Sequence, residues 1–245
     1  MSHRTRITVA ILGVATLLMA WLVSPARAVD YGSGQLGDWP SWGHAQIDPW
    51  ASADVGIVGD SITGRCYPRL NTRLTTTGRT LAVNYWSGRP LAPAVDWVLA
   101  RVAAGQPLPP VLIMASGTND IYNPPVVQAQ VARLKAGLPS TTELLFVDVT
   151  ASRWGRSYST ATQVSDMRNS SWVNGQIRAV LPDPQVIGWA AQMATLPGRG
   201  VALTYYSQDG VHPWPSAIDG HGDGCDLWAF TLMGKALPAA KKAGR

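Results

Sequence analysis

The sequence predicts an α/β fold, a three-layer α/β/α sandwich around a mainly parallel five-stranded sheet. Three observations carry this. Short runs rich in Val, Ile and Leu alternate with segments of helical period from residue 54 onward. Those runs are almost continuously apolar, as strands covered on both faces are. Glycine-containing polar clusters follow the first and third runs, at Gly59-Asp60-Ser61 and Gly117-Thr118-Asn119-Asp120. In open α/β sheets that end of the strands is where ligands bind.

The first 28 residues read as a signal peptide. Arg4 and Arg6 are the basic start, Ile7 to Val23 the apolar run, and Ala26-Arg27-Ala28 the cleavage site. The alternative is a retained anchor, and the run is at the short end of the ~17–25 residues a spanning helix needs. We expect cleavage after Ala28, hence a secreted or cell-envelope protein with no membrane span. The leader holds Arg4, Arg6 and Arg27 and no acid, so its loss lowers the formal charge from +5 to about +2. No Lys/Arg stripe is interleaved with aromatics, which argues against nucleic acid.

Residues 29–53 are rich in Gly, Pro and Trp without sustained period and read as an N-terminal arm. Trp39, Trp42 and Trp50 within it either cover core or form a stacking platform. The domain proper is 54–245. Its first strand is Val55 to Val58, and helix-like sequence follows Ser61. Thr80 to Tyr85 is the second strand. Pro93 to Ala104 is a helix with Val95, Val98, Leu99 and Val102 on one face and Gly105 as its stop. Pro110 to Ala115 is the third strand. Asn123 can cap the next helix, with Pro124 in its first turn, Val127, Val131 and Leu134 inward, and Gly137 after it. Glu143 to Val149 is the fourth strand, Ser171 to Leu181 a helix, Gln185 to Trp189 the fifth strand, and Leu227 to Leu237 a closing helix. Asn169-Ser170 is expected at a helix start.

Two further stretches complete the pattern. Asn84-Tyr85-Trp86-Ser87-Gly88 follows the second strand, and Asp209-Gly210-Val211-His212-Pro213 lies near the C-terminus. Together with Gly59-Asp60-Ser61 and Gly117-Thr118-Asn119-Asp120, the chain resembles the SGNH/GDSL hydrolase family over about residues 54 to 214. The resemblance implies a flavodoxin-like strand order and a secreted bacterial serine esterase or lipase. It implies an oxyanion hole from the N–H groups of Ser61 and Gly88 and the amide of Asn119.

The residues themselves suit that chemistry. Serine is a weak nucleophile until a base takes its proton. His212 is the candidate base for Ser61, and Asp209, three residues before it, can orient the imidazole and stabilise its charged form. Asp60 and Asp120 are expected to hold the loops through local backbone hydrogen bonds. No Gly-x-Ser-x-Gly elbow surrounds Ser61. Arg65, Trp86, Arg89 and Trp214 are candidate substrate contacts: the arginines suit an anionic acyl group or a phosphate unless they are solvated surface residues, and the tryptophans either stack on a sugar ring or simply wall the site.

Cys66 is five residues past Ser61 and Cys225 thirteen past His212. An exported chain with two cysteines forms one disulfide most simply; the alternative is two free thiols. Asp219, Asp223 and Asp226 do not fit a calcium loop, and no zinc pattern exists, so no metal or other cofactor is expected. The resulting expectation is a monomeric ester hydrolase acting through an acyl-enzyme on Ser61, on a short-acyl ester of a glycan or small molecule. Its rivals are a lipase or lysophospholipase, an acyltransferase on the same site, and a non-catalytic glycan-binding module.

Overall fold

The computed structural model describes residues 44–47, 50–122, 124–153, 159–197, 204–207, 209–217 and 222–244. The expected signal peptide, most of the arm with Trp39 and Trp42, and also Asn123, Asp219 and His221, lie outside the described residues.

Six strands form one sheet: β1 (His44–Ile47), β2 (Val55–Gly59), β3 (Leu81–Trp86), β4 (Val111–Ala115), β5 (Glu143–Val147) and β6 (Val186–Ile187). Their order is β1-β3-β2-β4-β5-β6, with β2 to β6 parallel. Counted among themselves, the five parallel strands follow the flavodoxin-like order 2-1-3-4-5. The difference from expectation is β1. Part of the arm pairs antiparallel with β3, His44 opposite Trp86 and Ile47 opposite Val83, and so covers an otherwise open edge.

Side chains of each parallel strand alternate between two buried clusters, one on each face of the sheet. Val111, Ile113, Leu145 and Val147 belong to one, Leu112, Met114, Leu144 and Phe146 to the other. Because both faces are apolar, the runs show no polar alternation. Helices α1 (Ser61–Thr76), α5 (Trp189–Ala194) and α6 (Gly224–Lys242) cover the first face. Helices α2 (Leu91–Ala103), α3 (Val127–Gly137) and α4 (Thr160–Arg178) cover the second. A fully buried leucine such as Leu70 or Leu112 contributes roughly 1.5–3 kcal/mol. Trp50, the one described tryptophan of the arm, is buried edge-on against Trp97 at 4.9 Å and serves as packing.

Cys66 on α1 and Cys225 in the first turn of α6 form a disulfide with Cα atoms 4.7 Å apart, both sulfurs buried. Ion pairs between Arg69 and Asp223 and between Arg73 and Asp226 join the same two helices. None of the described helices is long and apolar enough to cross a membrane.

Three elements differ most in extent. α4 begins at Thr160, so Asn169 and Ser170 lie inside it, not at its start. Its inner face reads Asp166, Ser170, Val173, Gln176 and Ile177, and the three polar members hide the helical period. Asp166 is buried in a bidentate pair with Arg153. α6 runs through Pro238 to Lys242. The fifth strand shortens to Val186–Ile187, because Trp189 already opens α5.

Candidate active site

The centre of the sheet turns directly into a helix. β2 ends at Gly59, and α1 begins two residues later at Ser61. A Cβ on Gly59 would lie 1.8 Å from Thr63 Oγ1 and 2.9 Å from the Ala115 carbonyl oxygen, so only glycine permits so tight a turn. Asp60 caps the helix, its Oδ1 accepting the Ile62 N–H at 3.0 Å. Ser61 is thereby held at the positive end of α1.

The partner of Ser61 arrives on a loop 151 positions later. Segments around 205–207 and 212–214 fold back antiparallel on each other: the Ser207 N–H donates to the His212 carbonyl at 2.7 Å and the Trp214 N–H to the Tyr205 carbonyl at 2.9 Å. The turn between them is tied by Asp209, whose Oδ1 accepts the N–H groups of Val211 at 2.9 Å and His212 at 3.0 Å. The Ser207 hydroxyl lies 2.8 Å from the same Oδ1 and 2.9 Å from the His212 carbonyl, one donor shared by two acceptors. The other carboxylate oxygen, Oδ2, is 2.6 Å from His212 Nδ1. His212 Nε2 is 2.7 Å from Ser61 Oγ. With Nδ1–H donating to the carboxylate, the Nε2 lone pair faces the serine hydroxyl.

Burial alone would raise the Asp209 carboxyl. The hydrogen bonds from the His212 ring and from the backbone of His212 and Val211 outweigh it and hold the group well below the usual carboxylate range. Asp209 therefore stays charged beside the imidazole.

Three further donors belong to residues that line the same cleft as the imidazole. Asn119, in a short 3₁₀ turn after β4, presents an amide nitrogen 3.2 Å from the Arg89 carbonyl and 3.4 Å from Asp60 Oδ2. Among the described residues, no hydrogen bond occupies the N–H of Ser61 or of Gly88. Gly88 has φ +83°, and a Cβ there would meet nothing within 4 Å, so the backbone conformation and not the space calls for glycine. Ser61, Asp209, His212, Gly88 and Asn119 all line a cleft of about 610 Å³. Arg65, Gly64 and Tyr85 line it as well.

Arg89 corrects an expectation. It is 2% exposed, so it cannot take a substrate anion; its guanidinium donates to Asn84 Oδ1 at 2.7 Å and to the Gly59 carbonyl at 2.7 Å. It clamps the end of β2 to β3, and its own carbonyl holds Asn119. Burial lowers this guanidinium to about 10, offset in part by Asp60. Burial likewise raises Asp60 to about 6 and Asp120, whose Oδ2 accepts the Leu91 N–H, to about 7. Asp60 and Asp120 thus do hold loop backbone, as expected. Trp86 is also a correction: it is buried at the end of β3 and is not a cleft residue. Trp214 is half-buried and is not among the described residues lining the cleft. Arg65 is exposed at the cleft wall.

The fold is shared with solved structures. The catalytic C-terminal domain of the Streptococcus pneumoniae peptidoglycan O-acetyltransferase A, solved with a methylsulfonyl adduct, aligns with a TM-score of 0.56 at 16% identity, over 78% of this chain and 96% of that one. A GDSL-like lipase from Bacteroides thetaiotaomicron aligns with a TM-score of 0.55 at 18% identity, over 76% of this chain and 88% of that one. The chain has the SGNH-hydrolase fold. No family model matches the sequence, and no curated protein does. What this chain shares with these structures at such identity is the backbone architecture.

Sequence reasoning missed Tyr85 and Ser207. Tyr85 is the penultimate residue of β3, and its position at a strand's carboxyl end was the available signal. Ser207 carries no sequence pattern; only the folded turn brings its hydroxyl to Asp209.

Proposed function

We propose that the chain is an exported serine hydrolase of carboxylic esters. The observation that carries this is the continuous hydrogen-bonded line from Asp209 through His212 to Ser61, facing Gly88 and Asn119 across one cleft. Ser61 Oγ attacks the ester carbonyl while its proton passes to His212 Nε2, and Asp209 stabilises the imidazolium. The Ser61 and Gly88 N–H groups and the Asn119 amide receive the oxyanion; the long contact to Asp60 is the one Asn119 gives up to do so. His212 then protonates the leaving alcohol, and water, activated by the same imidazole, releases the acid.

The cleft volume suits a small ligand, which favours a short acyl group on a glycan or small alcohol over a long lipid chain. Acyl transfer is the second reading. It differs only in a sugar hydroxyl replacing water, and the likeness to a peptidoglycan O-acetyltransferase domain favours it. The apolar leader in the sequence and the buried disulfide support export.

The test is turnover of acetyl, octanoyl and palmitoyl chromogenic esters by the mature protein beside Ser61→Ala. Serine-dependent release that falls with chain length supports the reading. A maximum at palmitoyl moves the assignment to a lipase, and turnover that survives Ser61→Ala removes Ser61 as nucleophile.

A further inference from the structure

The cleft holds a charge that no other described residue uses. Along α1, Arg65, Arg69 and Arg73 recur every four residues. Arg69 is paired with Asp223 at 2.9 Å, and Arg73 with Asp226 through its Nε at 2.6 Å. Arg65 makes no hydrogen bond or ion pair with any described residue, and it is the one that lines the cleft. It is four positions after Ser61, so the two side chains leave the same face of α1, with Cβ atoms about 5–6 Å apart. Asp209, the described carboxylate in the lining, is committed to His212 and its own turn. Arg65 is the uncommitted charge among the described residues of the cleft.

Tyr85 lines the cleft together with it. A Cβ on Gly64 would come within 2.3 Å of Tyr85 Cε2, so the ring rests directly on the first turn of α1, between Ser61 and Arg65 in sequence. Tyr67, one turn further along α1, stacks on this ring at 5.8 Å with an interplanar angle of 28°. The ring is thus supported from two positions of one helix. No described residue hydrogen-bonds the Tyr85 hydroxyl. A guanidinium presents a planar fork of donors matched to two oxygens, and a phenol adds one more donor.

We propose that Arg65 and Tyr85 form an anion subsite of the cleft, which selects esters bearing a carboxylate or phosphate near the ester bond. The guanidinium takes the charge and the phenol O–H a further oxygen. This rests on the ester-hydrolase reading and names the substrate class for it: a charged ester, such as one of an acidic sugar, in preference to a neutral one.

Three aryl acetates test it on the alcohol side: 4-acetoxybenzoate, 4-acetoxyphenyl phosphate and, as neutral reference, 4-acetoxybenzamide. The 4-nitrophenyl monoester of adipic acid against 4-nitrophenyl heptanoate tests the acyl side. The readout is the anionic-to-neutral ratio of kcat/KM, compared between wild type and variant so that intrinsic ester reactivity cancels. Arg65→Gln should lower this ratio about tenfold on at least one arm, the low end for a hydrogen bond to a charged group. Arg65→Lys should restore part of it, and Tyr85→Phe should lower it by roughly two- to threefold. Adding about 0.5 M salt should erode the wild-type preference. The arm that responds identifies the anion as carboxylate or phosphate and places it on the alcohol or the acyl. A ratio unmoved by Arg65→Gln on every arm overturns the subsite. Labelling of Ser61 by a fluorophosphonate separates the two levels: a labelled, active wild type with a flat ratio refutes the subsite alone, whereas a protein neither labelled nor active removes the hydrolase reading and the subsite with it.

Discussion

Replacing Asp209 by asparagine tests the proposed mechanism at the place where the structure fixes the outcome. The two carboxylate oxygens have different duties. Oδ1 accepts two backbone N–H groups, from Val211 at 2.9 Å and His212 at 3.0 Å, and faces the Ser207 hydroxyl at 2.8 Å. Among the described residues, Oδ2 meets only His212 Nδ1. In Asp209→Asn the amide must place its oxygen at one of these positions and its NH₂ at the other. Turning the NH₂ toward the backbone would leave two N–H donors facing a donor, at roughly 1–3 kcal/mol each. The oxygen therefore stays at Oδ1, and the NH₂ meets Nδ1 of the imidazole.

Nδ1 must then accept, so the ring proton moves to Nε2 and points at Ser61 Oγ. The lone pair that takes the serine proton is gone. The same exchange in a serine-protease triad lowers kcat about 10⁴-fold, or between 5 and 6 kcal/mol of barrier, estimated at ~1.4 kcal/mol per tenfold. We expect a loss of that order here. The turn keeps its Oδ1 bonds, so the far-UV spectrum should be unchanged. The assay is kcat on a chromogenic acetate from pH 5 to 9, beside a thermal melt. A folded Asp209→Asn protein with kcat within tenfold of wild type refutes the role given to Asp209.

Two further predictions concern stability. Removing the disulfide with Cys66→Ala and Cys225→Ala together should cost about 2–5 kcal/mol, because the bridge closes a sequence separation of 159 residues; urea denaturation measures it, and a loss below about 1 kcal/mol would contradict the prediction. Asp120 is raised from 3.8 to about 7 by burial, so between those values the folded state binds the proton that the unfolded state has released. Its contribution is complete below the unfolded value and is lost as pH rises through the folded one. Asp120→Asn should therefore gain stability relative to wild type from pH 4 to pH 8, by on the order of 4 kcal/mol; parallel stability curves for the two proteins would overturn this.

Much of the fold was legible because the strands are buried on both faces. Val55 to Val58, Pro110 to Ala115 and Glu143 to Val149 announce themselves as apolar runs, and the polar clusters after them mark the site. What stayed hidden was held by polar contacts. The inner face of α4 depends on Asp166, whose partner Arg153 comes from another segment. The edge strand β1 is four residues long and takes its register from β3, not from its own pattern. At the site, Ser61, His212 and Asp209 were named by short motifs whose spacing survives in any context. Arg89 was misread because a cation three residues past the end of β3 looks solvent-facing until the Gly59 carbonyl and Asn84 are seen around it.

The burial of Arg89 has an electrostatic reason as well as a geometric one. Asp60 caps α1 and so favours the helix that presents Ser61, yet a carboxylate there also repels an oxyanion forming over the same helix end. With Asp60 raised only to about 6, it is largely charged at neutral pH. The Arg89 guanidinium, which donates to the Gly59 carbonyl one residue before Asp60, favours the charged form of Asp60 and offsets part of its field. It needs no ion-pair contact to do so, because charges in a buried setting are felt across several ångströms. On the mechanism proposed above, Arg89 lets the cap and the oxyanion hole share one helix terminus, while its carbonyl holds Asn119 at the cleft. The anion-binding duty that its charge suggested is the one proposed for Arg65, one turn along α1 from Ser61.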